Sequence, residues 1–234
     1  MRVHDGREMV PVSLSGGVEP GARTGTSVNG LPVVVWRGQD GTARAWEDRC
    51  PHRGMRLSFG FVRENSLTCI YHGWSFGQAD GGGPGTDGSC LAVPAHPGTA
   101  PPAKAAAVAR PAAEALGMIW VGAGPGDTQP PQDAGRGPDA VHPVRSVTAP
   151  APAAALHAAL AATPPPGTEP AEAPAAGVIA FQGPAGLVIA AIQDRGDGTS
   201  TAHIVSTEAA AAPRKALCLW AALVRDHLAA VVLP

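Results

Sequence analysis

Apolar and polar positions alternate in short bursts along the first half of the chain. LPVVVWRG (31–38) reads as a strand, GQDG (38–41) as a turn and ARAWED (43–48) as the returning partner. LSFGFV (57–62) and SLTCIY (66–71) read as two further strands with Glu64-Asn65 at the bend, and GMIWVG (117–122) closes the series. Short β-rich runs broken by Gly and Asp at close intervals predict a small antiparallel barrel or sandwich.

The pattern changes from about residue 99, where Ala and Pro dominate, as in TAPAPAAALHAALAATPPPGTEPAEAPAA (148–176). Proline at this density blocks continuous helix or central strand, because each one removes a donor and fixes φ. A linker or surface loop is expected here, with a short helix at 153–162 ended by Pro164 to Pro166. Beyond it, GVIAFQG (177–183), GLVIAAIQ (186–193) and TAHIVST (201–207) read as strands, with a turn from Asp194 to Ser200. Over 214–230, Leu217, Trp220, Ala221, Val224 and Leu228 recur at helical intervals behind Pro213. The expected organisation is a mainly β domain over 1–125, an Ala/Pro-rich connection over 126–176 and a reduced α+β module over 177–234.

A net charge of -2 supplies no basic field for nucleic acid. The start, MRVHDGREMV, has no apolar run of secretory type. The longest apolar run, Ala216 to Val224, falls far short of the ~20 residues that span a bilayer. The expectation is a cytoplasmic protein with neither nucleic acid nor membrane as partner.

Two of the four cysteines have histidines at tight spacing. Cys50-Pro51-His52 is followed, after sixteen intervening residues, by Cys69-Ile70-Tyr71-His72-Gly73-Trp74. Cysteine beside histidine, in a chain expected to stay in a reducing compartment, points to metal before disulfide. Two thiolates can hold one ferric iron and two neutral imidazoles the second, reducible iron of a [2Fe–2S] pair. Exchanging two thiolates for histidines removes negative charge and raises the potential to about −150 to +300 mV, against about −400 mV for an all-cysteine centre. Structural zinc also accepts two Cys and two His, but usually with Cys paired to Cys and His to His, whereas both pairs here are mixed. Cys90 and Cys218 are expected to be a plain thiol and a core residue.

RCPHRGMRLSFGFV (49–62) followed by CIYHGWSFGQADG (69–81) resembles the Rieske domain of the Rieske non-haem iron oxygenases, the ring-hydroxylating and demethylating group, over approximately 9–125. The resemblance implies a [2Fe–2S] cluster whose inner iron is bound by Cys50 and Cys69 and whose outer iron is bound by His52 and His72. Ile70 departs from the proline frequent there in the family. Respiratory Rieske proteins carry an extra cysteine in each loop and a hydroxyl after the second His-Gly; Met55 in the first loop and Trp74 after Gly73 place this chain with the oxygenases.

Complete oxygenase subunits add a helix-grip domain with a mononuclear iron on two His and a carboxylate. The family's Asp-x₂-His-x₄₋₅-His run is missing: the later histidines are His96, His142, His157, His203 and His227, no two of them within seven residues. Strands 177–207 and helix 214–230 resemble a truncated helix-grip fold. An unorthodox iron site could draw on His142 and His157 with Glu169 or Glu172, while His203 and His227 read as surface polar residues. Three roles follow. The chain is an electron-transfer component taking electrons from a reductase or ferredoxin to a separate mononuclear-iron oxygenase subunit. Alternatively it is an oxygenase subunit with an atypical or partner-completed iron site, or a redox-inactive assembly or regulatory subunit. Each is compatible with a homo- or hetero-oligomer. With fewer hydrogen bonds to the cluster sulfurs than in respiratory proteins, the midpoint potential should lie near the lower end of the window of about −150 to +300 mV. Redox titration followed by electron paramagnetic resonance checks this, and a midpoint well above zero excludes the oxygenase-type assignment.

Overall fold

The computed structural model describes residues 9–78, 88–102, 104–124, 130–131, 141–184 and 186–232. It is mainly β, with antiparallel sheets and two α-helices. Strands β1 (Met9–Leu14), β2 (Arg23–Val28), β3 (Leu31–Arg37) and β4 (Ala43–Glu47) come first. β5 (Phe61–Arg63), β6 (Ser66–Thr68), β7 (Ser75–Gly77) and β8 (Ser89–Ala92) follow, then β9 (Ala109–Arg110), β10 (Ala112–Ala115) and β11 (Met118–Gly122). They form three sheets, ordered β2-β3-β4-β9, β5-β6-β7-β8 and β1-β11-β10.

Asn29-Gly30 closes β2 onto β3, with φ of 51° and 84°, the backbone a tight two-residue hairpin needs. The apolar reading marked β3 but passed over β2, whose RTGTSV lacks an apolar face. Two other expectations change in detail. Leu57–Phe59 is a 3₁₀ turn, because Leu57 is buried and the Asp48 carboxylate accepts from both Ser58 N (2.7 Å) and Ser58 Oγ (2.7 Å). The strand expected over 66–71 stops at Thr68, where the chain leaves the ladder for the loop carrying Cys69.

The stretch expected to connect two units is built into a sheet. Strand β12 (His142–Ala149) pairs antiparallel with β16 (Ser200–Ser206) at the edge of a five-stranded sheet, ordered β12-β16-β15-β14-β13, with β13 (Glu169–Ala171), β14 (Val178–Gly183) and β15 (Gly186–Asp194). Pro143 is tolerated because β12 is an edge strand with its register shifted between Pro143 and Arg145. Helix α1 (Ala153–Ala162) buries Leu156 and Leu160, and helix α2 (Ala211–Val232) buries Trp220, Ala221 and Val224 on the same face of the sheet. No helix of the described residues is long and apolar enough to cross a membrane.

The other face of this sheet is covered by the N-terminal sheets. Met9, Met118 and Trp120 pack against Val178, Ile189, Ala191 and Val205. At the end of this seam the hairpin tip donates to the β15–β16 turn, Asn29 N to Asp194 O (3.3 Å) and Gly30 N to Arg195 O (3.1 Å). A Cβ on Gly196 would lie 2.1 Å from Gly30 N, so the two turns meet backbone to backbone. Gln193, 1% exposed, donates from Nε2 to Thr26 Oγ1 and Ser27 O, both at 2.7 Å.

His203, expected at the surface, is 3% exposed and lies in this seam, its Nδ1 2.8 Å from Ser146 Oγ and its Nε2 3.2 Å from Gln193 Oε1. The strand's polar face is covered by protein rather than water. Burial, reinforced by the positive Arg195, pushes His203 down to about 4. The depressed folded value means its stabilisation is complete above the unfolded pKa of about 6.5 and is lost as pH falls through about 4. Urea unfolding at a series of pH values should show up to about 3 kcal/mol of stability disappearing across that window, and His203→Gln should remove that part of the slope. An unchanged slope in the variant excludes His203 as its source.

Candidate metal centre

Two loops that leave neighbouring strand ends have the same construction. In the first, Cys50 N donates to Met55 O (2.7 Å) and Gly54 N to Cys50 O (2.8 Å). In the second, Cys69 N donates to Trp74 O (2.9 Å) and Gly73 N to Cys69 O (3.0 Å). The glycine four residues after each cysteine has positive φ, 75° at Gly54 and 70° at Gly73, which L side chains rarely adopt. Gly73 is tight as well as left-handed: a Cβ there would lie 2.9 Å from Pro94 Cγ. Asp48 anchors the first loop through its two bonds to Ser58.

The loops sort their cysteine and histidine side chains by depth. Cys50 and Cys69, each 2% exposed, sit in an apolar cluster with Val34, Trp36, Trp46, Leu57, Leu67 and Phe76. His52 is half-buried and His72 exposed, with ring centroids 4.7 Å apart. Trp74 stacks on His52 at 4.2 Å with 7° between planes, and Tyr71 leans on His72 at 3.9 Å. Burial pushes the Cys50 thiol up to about 11; the backbone N–H groups of His52 and Arg53 pull the other way, and the adjoining Cys69 thiol adds to the rise. His52 is held below the usual histidine value by desolvation, then by the electrostatic influence of neighbouring His72 and Arg53. A neutral ring is the form that offers a lone pair to metal.

A sulfur pair inside and an imidazole pair outside suit two metal atoms held side by side. Among the described residues, no three His, Cys, Asp or Glu side chains are placed to hold a single ion. The donor set therefore fits a two-iron cluster better than a lone zinc, which needs all four ligands around one point. The same fact applies to His142, His157, Glu169 and Glu172: His142 opens β12, His157 lies on α1, the two glutamates are exposed, and they are not brought together. Cys90 lies on β8 rather than in a loop and flanks the sulfur cluster, while half-buried Cys218 donates from Sγ to Val144 O (3.3 Å). His227 is exposed on α2. Sequence reasoning noted Trp74 only as a replaced hydroxyl and missed its stacking on His52. It also missed Asp48, whose only signal was an acidic residue two before the first cysteine.

Comparison with known proteins agrees with this geometry. The Rieske [2Fe–2S] domain family matches residues 8–102. Oxidoreductase NdmD of Pseudomonas putida is 41% identical over 102 residues, 44% of this chain and 16% of that protein. Protein TIC 55 of Arabidopsis thaliana is 36% identical over 115 residues, 49% of this chain and 20% of that protein. The matched stretch is thus a fifth or less of either relative's length. Solved structures extend the likeness of fold. Pseudomonas putida CBB5 NdmA superposes with a TM-score of 0.68 at 19% identity over 96% of this chain and 81% of its own, and dicamba monooxygenase with 0.64 at 16% over 97% and 87%. The chain carries a Rieske [2Fe–2S] domain over residues 8–102 and shares the fold of NdmA and dicamba monooxygenase.

Proposed function

We propose that Cys50 and Cys69 hold the inner iron and His52 and His72 the outer iron of the cluster. The chain would then carry electrons from a reductase or ferredoxin to a mononuclear-iron catalytic subunit. One observation carries this reading: the imidazoles stand outermost, with His72 exposed, while both sulfurs are sealed in an apolar cluster. Bound there, a [2Fe–2S] centre supplies one-electron chemistry at the potential its mixed ligands set. The chain's own residues do the rest. The cysteine-glycine bonds fix each loop, Trp74 fixes the plane of the His52 ring, and the N–H groups of His52 and Arg53 favour the ionised sulfur at Cys50. Partial exposure of the rings leaves a short path for an electron to pass to a docked protein. The histidine spacing supports delivery of electrons elsewhere, since no two later histidines fall within seven residues.

A second reading keeps catalysis in this chain, with an atypical iron site or one completed by another subunit. The observation favouring it is the extent of the fold, 96% of the chain superposing on NdmA. The five-stranded sheet with α1 and α2 on one face is consistent with a truncated helix-grip domain.

Iron and acid-labile sulfide analysis separates the two. Electron transfer alone expects about two irons per chain and a second iron site about three, and Cys69→Ser should lose both iron and sulfide. Stopped-flow reduction by a flavin reductase, then reoxidation on adding a catalytic subunit, supports the donor role. Turnover by the purified chain alone rejects it. Reduction should also become proton-coupled at alkaline pH, because each ligating imidazole keeps a second N–H that ferric iron acidifies. A potential independent of pH there would count against histidine ligation.

A further inference from the structure

A polar groove of about 580 Å³ lies along the seam, with neither His52 nor His72 in its walls. Its walls come from three distant parts of the chain: Arg23 and Thr24 on the edge strand β2, Arg56 and Ser58 after the first cysteine loop, and Arg195 and Asp197 in the β15–β16 turn. Arg23 spends its Nε on Gly60 O (2.6 Å), which fixes the side chain and leaves its terminal N–H groups for another acceptor. Arg56 and Arg195 take part in none of the ion pairs among the described residues. The one carboxylate on the wall, Asp197, is already turned to its own loop, accepting from Thr199 N (3.0 Å) and Thr199 Oγ1 (2.6 Å). Three guanidiniums stand against Asp197 on the wall and Asp48 behind it, bonded to Ser58, which leaves a formal excess of one positive charge.

We propose that this groove binds a phosphate dianion, free or as a phosphate monoester. Guanidinium forks from three directions match a tetrahedral oxyanion better than a planar one, and charge-assisted bonds of this type are the strong ones. A dianion is drawn to the groove's positive excess, and the guanidinium forks supply its hydrogen bonds. The volume exceeds that of one phosphate, and the ring of Phe59, 59% exposed, lines the same groove as an apolar face for an organic group. A ligand bound here touches both halves of the molecule and stabilises their junction by mass action.

The test is calorimetric titration of the cluster-loaded full chain with inorganic phosphate, phenyl phosphate and succinate at matched ionic strength, beside thermal unfolding in each. The expected result is saturable one-to-one phosphate binding, a raised unfolding midpoint and weaker succinate binding. Phenyl phosphate binding more tightly than inorganic phosphate assigns the site to a monoester, and the reverse order assigns it to the free ion. Arg56→Gln and Arg195→Gln should each weaken phosphate by about tenfold or more, while Arg225→Gln, on the far helix, changes nothing. If either glutamine variant fails to fold, Arg195→Lys, which keeps the charge and loses the fork, should weaken binding to an intermediate degree. Absence of saturable binding near about 1 mM phosphate, equal binding of succinate, or full affinity in the folded variants overturns the proposal.

Discussion

Everything at the metal centre depends on one backbone arrangement made twice: a cysteine whose carbonyl is capped by the N–H of a left-handed glycine four residues on. The closed turn drives the sulfur inward and swings the histidine two or three positions later outward. Two such turns facing one another divide the cysteines from the histidines by depth. The surrounding packing preserves that division. Trp36 and Trp46 meet edge to face at 4.9 Å beneath the sulfurs, and Leu57 and Leu67 close the sides. With the ligation proposed above, the cluster's imidazole edge faces outward while the cysteine sulfurs stay away from water.

A second buried polar centre holds the scaffold behind the loops. Arg37 is 8% exposed, yet its guanidinium donates to Val18 O, Gly41 O and Ser15 O and forms a two-pronged pair with Glu114. A guanidinium has five N–H donors, and this one uses all of them, so the charge is buried without an orphaned group. The Arg37 hydrogen bonds hold the Glu114 carboxyl below the usual carboxylate range. Through this side chain the turn after β1, the end of β3 and strand β10 are fixed relative to one another.

The sequence made some parts of this molecule easy to read and others hard, for physical reasons. The Cys-His pairs were legible because ligation chemistry permits few residue types at few spacings. The helix over 153–162 was legible because Pro152 and Pro164 bracket a run of strong helix formers. Strand 142–149 was not, since HPVRSVTA has an early proline and an interrupted alternation, and only its place at the edge of a sheet makes that acceptable. His203 misled for a related reason. Alternation along TAHIVST marks one face as polar, and a single strand cannot reveal that the polar face lies against another sheet. The roles of Trp74 and Asp48 needed the folded loops, because each acts on a neighbour through shape rather than through a characteristic spacing.

The contact between Gly30 and Gly196 has a mechanical meaning. Backbones that touch at this distance, beside three side-chain hydrogen bonds from Gln193 and Ser27, leave no slack at the joint. The Rieske domain is joined to the five-stranded sheet here by packed backbone and hydrogen bonds rather than by a tether. The cluster is presented from a fixed mount. On the proposed donor role, the distance an electron must cross is set by how closely another protein surface approaches the exposed His72.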